Sequence, residues 1–86
     1  MKLQRISEAL LGKRVRHYNP VTGTICEFNV SIITEVVHAF CFYSPEKNCR
    51  IFISKDNVEA LISDRCYARV LTGTDGTFVE EWRIID

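Results

Sequence analysis

Alternation of apolar and polar residues at period two is the feature that most constrains this chain. Cys26, Phe28, Val30 and Ile32 are apolar, and of the residues interleaved with them Glu27, Asn29 and Ser31 are polar, with Ile33 the exception. Successive side chains of a strand point to opposite faces, so this spacing lays one apolar face on a core. The same period begins near Lys13, where Arg14, Arg16 and Tyr18 share one side and Val15 and His17 the other, and returns at Cys49, Ile51 and Ile53. A curled sheet, not a helical bundle, is expected to organise residues 15 to 53.

Turn chemistry cuts this pattern into strands. Asn19-Pro20-Val21-Thr22-Gly23 combines a fixed φ, a side chain that bonds nearby backbone and a residue that accepts positive φ. A long strand is expected to follow through Ile33, then an aromatic strand from Val36 to Tyr43, with Phe40 and Phe42 on one face and Cys41 and Tyr43 on the other. Ser44-Pro45-Glu46-Lys47-Asn48 turns that strand into Cys49–Ile53 as a hairpin. Gly73-Thr74-Asp75-Gly76 joins residues 66–72 to 77–85 as a second one.

Two helices complete the reading. Leu3, Ile6 and Leu10 recur at helical spacing, and Gly12 stands where a helix ends in a left-handed residue. Val58, Leu61 and Ile62 mark a short turn of helix that Ser54 or Asp56 can cap. The fold class expected is mostly β with minor helix, as one domain over residues 1–86. It divides into an N-terminal helix (1–12), a small barrel or strongly curled antiparallel sheet (13–62) and a C-terminal hairpin (65–86). A domain this short buries only about 60 to 65% of its unfolded surface, so its core is thin.

The order of these elements over residues 3–62 resembles the small barrels of the Sm-like and SH3-like kind. Leu10-Leu11-Gly12-Lys13-Arg14-Val15-Arg16 is similar to the start of the first Sm strand, and Ile53-Ser54-Lys55-Asp56-Asn57-Val58 to the end of the second Sm motif. The resemblance implies a barrel and, for Sm-like proteins, a ring that binds RNA. The chain has Glu27-Phe28-Asn29 where such proteins carry a strand-bending glycine. It has Thr34-Glu35-Val36-Val37-His38 where they carry an Asp and Asn pair for RNA. The barrel shape is therefore carried over and the ligand residues are not.

Charge narrows the partner classes. The chain is neutral overall, yet residues 1 to 18 hold Lys2, Arg5, Lys13, Arg14 and Arg16 against Glu8 alone, while Asp75, Glu80, Glu81 and Asp86 crowd the end. A general polyanion binder is more basic than this. No apolar run approaches the roughly 18 residues that cross a bilayer, and MKLQRISEAL lacks the apolar centre of a secretory signal, so no membrane partner is expected and the chain reads as cytoplasmic.

Catalytic and metal-binding patterns are missing. Cys26, Cys41, Cys49 and Cys66 contain no CxxC pair and read as reduced thiols; two disulfides are the alternative for an exported chain. His17 and His38 have no carboxylate or cysteine at ligand spacing and read as structural. There is no phosphate loop, GxSxG elbow or HExxH pair. No cofactor, metal or catalytic residue is expected.

What remains is surface. Arg5, Lys13, Arg14, Arg16 and Tyr18 form the strongest candidate, a basic row able to grip phosphates beside a stacking phenol, to meet an acidic protein patch, or to rest as a solvated face paired with Glu27 or Glu35. Phe40, Phe42, Tyr43 and Phe52, with Phe78 and Trp82, exceed what one inward face can hold if Phe52 opposes Ile51 and Ile53 in parity; either some aromatic area is exposed as a contact surface, or the N-terminal helix or the last hairpin covers it. The leading expectation is a non-catalytic regulatory or adaptor module. It binds another protein or itself as a homo-oligomer, in the manner of small host-targeting proteins of mobile elements. The alternatives are RNA or single-stranded DNA binding through the basic strand, and an enzyme of unrecognised type.

Overall fold

Proline, asparagine and glycine turns fold neighbouring segments back on one another, and the resulting hairpins account for most of the molecule. The computed structural model describes residues 2–85; Met1 and Asp86, the last acid of the C-terminal stretch, lie outside them. Helix α1 (Lys2–Leu10) leads into strands β1 (Arg14–Asn19), β2 (Thr24–Asn29), β3 (Ile32–Glu35), β4 (Ala39–Ser44) and β5 (Cys49–Ser54). Helix α2 (Val58–Asp64), β6 (Cys66–Gly73) and β7 (Gly76–Ile84) follow. The strands form two antiparallel sheets, one ordered β2-β1-β7-β6 and the other β3-β4-β5.

Each turn works by the chemistry its residues supply. Between β1 and β2 the Asn19 side chain accepts from the Val21 N–H at 3.0 Å, the Gly23 N–H closes on the Asn19 carbonyl at 2.8 Å, and Gly23 takes φ +73°. The last hairpin is tighter than its two glycines suggest: Gly73 pairs with Gly76, so Thr74 and Asp75 alone form the loop, with Gly76 at φ +123°. Gly12 ends α1 at φ +83° and donates to the Val30 carbonyl at 2.9 Å.

Three expectations need correction. The segment from Thr24 to Glu35 is not one strand: it breaks at Val30-Ser31 and passes from the first sheet to the second. That break shifts the alternation by one residue, so Ile33 packs on the core while Ile32 is 41% exposed. Val36 and Val37 belong to the β3–β4 turn, closed by the Val36 N–H on the Ala39 carbonyl at 2.9 Å, and both stand in solvent. Neither Ser54 nor Asp56 caps α2, whose N-cap is Asn57 without a side-chain bond; Ser54 instead receives the Asp56 and Asn57 backbone N–H groups on its hydroxyl and carbonyl.

One core lies between the sheets. Val15, Phe28, Trp82 and Ile84 face it from the first sheet, Phe40, Phe42, Ile51 and Ile53 from the second, and Ile6, Leu10, Val58 and Leu61 from the helices. β2 and β5 come into contact without pairing, and no ladder among the described residues joins the two sheets. The pairings therefore leave the curled sheets unclosed along this seam.

Phe40 and Phe42 are completely buried. Removing such a ring costs about 3 to 5 kcal/mol through lost transfer energy and the cavity left behind, a large share of the roughly 5 to 15 kcal/mol that holds a domain together. Phe42→Ala should lower the urea midpoint accordingly, whereas Phe52→Ala, at a ring 51% exposed, should shift it far less. Equal losses in urea titration would contradict this core.

Candidate functional site

Register in the four-stranded sheet sets side chains in rows across its inner face. His17 sits opposite Cys26 on one side and Trp82 on the other, and Trp82 opposite Tyr67, so Cys26, His17, Trp82 and Tyr67 form one row. Two residues further along β7, Glu80 faces Arg69; two further again, Phe78 faces Leu71. The β3-β4-β5 sheet covers the first of these rows. Beyond it the β6–β7 hairpin runs on, and the wedge between overhang and β5 is a cleft of about 540 Å³, within the size range of ligand sites.

A polar network lines the overhanging wall. Glu80, only 9% exposed, accepts from Arg69 Nε on Oε1 at 2.8 Å, and its Oε2 lies 2.6 Å from His17 Nε2. Both carboxylate oxygens thus have partners, which a buried carboxylate requires. Trp82 is flanked by the His17 ring at 5.1 Å and the Tyr67 ring at 5.5 Å, and the Arg69 guanidinium lies 5.8 Å from its ring centre. The indole Nε1 crosses to the other sheet and donates to the Phe52 carbonyl at 2.9 Å.

The opposite wall is the free edge of β5, with His38 and Asn57 at its end. The Tyr43 carbonyl accepts from Ser31 and so points toward β3, which makes the Tyr43–Arg50 and Cys41–Phe52 positions non-hydrogen-bonded pairs. The backbone N–H and C=O of Arg50 and Phe52 therefore point away from β4, toward the cleft. Two of these four groups have partners: the Phe52 carbonyl takes the indole, and the Arg50 N–H bonds the Cys26 thiol. Burial, together with the hydrogen bond that the Cys26 S–H donates to Cys49, pushes the Cys26 thiol up to about 12, so it is held protonated. Among the described residues no three His, Cys, Asp or Glu side chains are grouped to hold a metal.

The residues singled out from sequence do not form one surface. Arg14, Arg16 and Tyr18 lie on the outer face of the first sheet. Both guanidiniums close on Glu27, Arg14 Nε at 2.9 Å and Arg16 Nε at 3.2 Å. Arg5 of α1 pairs with Glu59 of α2, and Lys13 is exposed in the turn before β1. Tyr43 is half-buried beneath Arg50, whose guanidinium sits 5.1 Å from its ring centre, and Phe52 stands at the cleft rim. Phe40 and Phe42 are corrected: as core residues they present nothing to a partner. His17, with no carboxylate at ligand spacing in sequence, meets Glu80 from 63 positions away.

Sequence reading missed Arg69, Glu80 and the hairpin tip. At that tip Val70 pairs with Val79 on the outer face, exposed 62% and 48%, while Leu71 and Phe78 share the inner one. Comparison with protein-family models, with curated proteins and with solved structures finds no match to this chain.

Two outcomes follow from the paired and buried groups. The Arg14 hydrogen bond, with Arg16 beside it, holds the Glu27 carboxyl below its ordinary 4.5. A carboxyl lowered by folding contributes stability that is fully present above the unfolded value and lost as pH falls through the lower folded one. Carboxyl-detected NMR should show Glu27 titrating below 4.5 and rising toward it in Arg14→Ala; an unmoved titration would refute the pairing. At pH 8 a thiol pushed up to about 12 carries almost no thiolate, the form that alkylates. Iodoacetamide followed by peptide mass spectrometry should accordingly label exposed Cys66 first and Cys26 only after denaturation.

Proposed function

We propose that this chain is a non-catalytic protein-binding module of the regulatory or adaptor kind, and that the overhanging β6–β7 hairpin is its main contact element. One observation carries the reading: the hairpin tip is apolar on both faces, with Val70 and Val79 on one and Leu71 and Phe78 on the other. A strand pair normally keeps one polar face toward water, and exposed apolar patches mark contact surfaces. β6 is also an edge strand, with backbone groups available for pairing. The outer face adds Ile25 and Tyr18, which lie opposite one another beside this tip end of the sheet.

Pairing of both Arg14 and Arg16 with Glu27 weighs against the nucleic-acid alternative, because it halves the positive charge of the row and a phosphate would compete with that carboxylate for each guanidinium. We read the bent segment from Thr24 to Glu35, shared between the sheets, as the counterpart of the bent second strand of Sm-like and SH3-like barrels, with the seam between β2 and β5 left open.

The test is a double substitution, Val70→Glu with Val79→Glu, at two exposed positions where the fold loses little. Affinity purification from lysate of the natural host, run with and without nuclease, should recover a stoichiometric protein, another polypeptide or a second copy, with the wild type and lose it with the variant. Circular dichroism should be the same for both. Recovery of nucleic acid alone, or of the same protein by both baits, would overturn the proposal.

A further inference from the structure

The cleft has three properties that together select an occupant, starting with its shape. One wall is a strand edge. Of the four backbone groups that Arg50 and Phe52 turn toward it, the Arg50 N–H and the Phe52 carbonyl are taken. The Arg50 carbonyl and the Phe52 N–H lie between these, adjacent along the edge, and no described residue bonds them. A carbonyl at one residue and an N–H two residues on is the pair that a single residue of an added parallel strand satisfies with its own N–H and C=O.

Charge is the second property. Arg50, Arg69, His17 and His38 line the space, and among the described residues Glu80 is the one acid there. Glu80 is already bonded to His17 and Arg69. Arg50 is exposed, rests on the Tyr43 ring and has no carboxylate partner among the described residues. Its guanidinium presents five donors in a fork that matches a carboxylate. An acidic side chain therefore meets uncompensated positive charge here, whereas a basic one would meet two arginines.

Apolar surface is the third. Phe52 lines the cleft, and on the inner face of the hairpin Leu71 and Phe78 follow the Arg69–Glu80 pair toward the tip.

We propose that the cleft is the seat of an extended acidic segment of a partner protein, which adds to the β5 edge at Arg50 and Phe52 and gives a carboxylate to Arg50. This deepens the protein-binding reading and rests on it. The proposal assigns strand addition to the inner side of the molecule, while the outer pair Val70 and Val79 makes a separate contact.

Trp82 is the sole tryptophan of the chain, lines the cleft and bonds the Phe52 carbonyl, so its fluorescence reports occupancy. Peptides selected from a displayed random library against the full chain should be enriched in Asp and Glu within a β-prone stretch, and should change Trp82 emission on binding. Their affinity should fall at least tenfold in Arg50→Glu and with N-methylation of the pairing residue, and should survive Val70→Glu/Val79→Glu. Selection repeated on Arg50→Glu should lose the acidic preference. Peptides of neutral or basic composition, insensitivity to N-methylation, or no enrichment over an unrelated domain would overturn the proposal. Peptides that leave Trp82 unchanged and are lost in the Val70→Glu/Val79→Glu variant would sink the cleft while leaving the hairpin reading intact.

Discussion

The hydrogen bond from the Trp82 indole to the Phe52 carbonyl is the contact on which the arrangement of the two sheets turns. Apolar burial alone would hold the sheets together at many small displacements, because it is non-directional. A buried indole N–H must find an acceptor, and here the acceptor lies on the facing edge strand. That requirement fixes where β5 sits along the inner face of the first sheet. The row His17, Trp82, Tyr67 then packs at the core's margin, and the next row, Glu80 with Arg69, falls outside the cover of the second sheet.

Much of the fold was legible in the residues, and the failures have physical causes. Turn chemistry located both hairpins, and the glycines around Thr74-Asp75 even contain the site: once Gly73 faces Gly76, the antiparallel register places Arg69 against Glu80 and Leu71 against Phe78. What could not be read was the break at Val30-Ser31, since no glycine or proline marks it and Ile32-Ile33 satisfies either phase of the alternation. His17 with Glu80 was invisible for a different reason. Their meeting depends on β7 pairing with β1, a long-range choice that no local spacing encodes. Phe40 and Phe42 were counted as surplus aromatics because one face was assumed to be all the core could take. In fact both sheets and two helices enclose them.

Charge shows the same difference between linear and spatial order. The basic beginning of the chain suggested a cationic surface, but folding sets Arg5 against Glu59, and Arg14 and Arg16 against a single Glu27. Exposed pairs of this kind contribute little to stability, because water screens them. Their consequence is less for stability than for recognition, since they tie both guanidiniums of the row to a carboxylate of the same sheet. Arg50 sits in the middle of the sequence, drew no attention there, and is left with an aromatic ring as its neighbour.

The same seam explains why the sheets stay unclosed and why a cleft exists. Closing it would require β2 and β5 to exchange backbone hydrogen bonds along their length. They touch where the Cys26 thiol takes the Arg50 N–H, a side chain standing in for a strand, and at the next outward position Trp82 does the same for Phe52. Each substitution satisfies one backbone group while keeping a neighbouring strand at a distance. The edge is thereby protected at two points and left open between them, which limits indiscriminate pairing while preserving one short length of strand edge. A buried carboxylate at Glu80 reinforces this, because drawing the second sheet over it would bring further desolvation without adding a partner. The open seam is thus a consequence of where polar groups were placed, and it leaves the Arg50 carbonyl and the Phe52 N–H unbonded by any described residue.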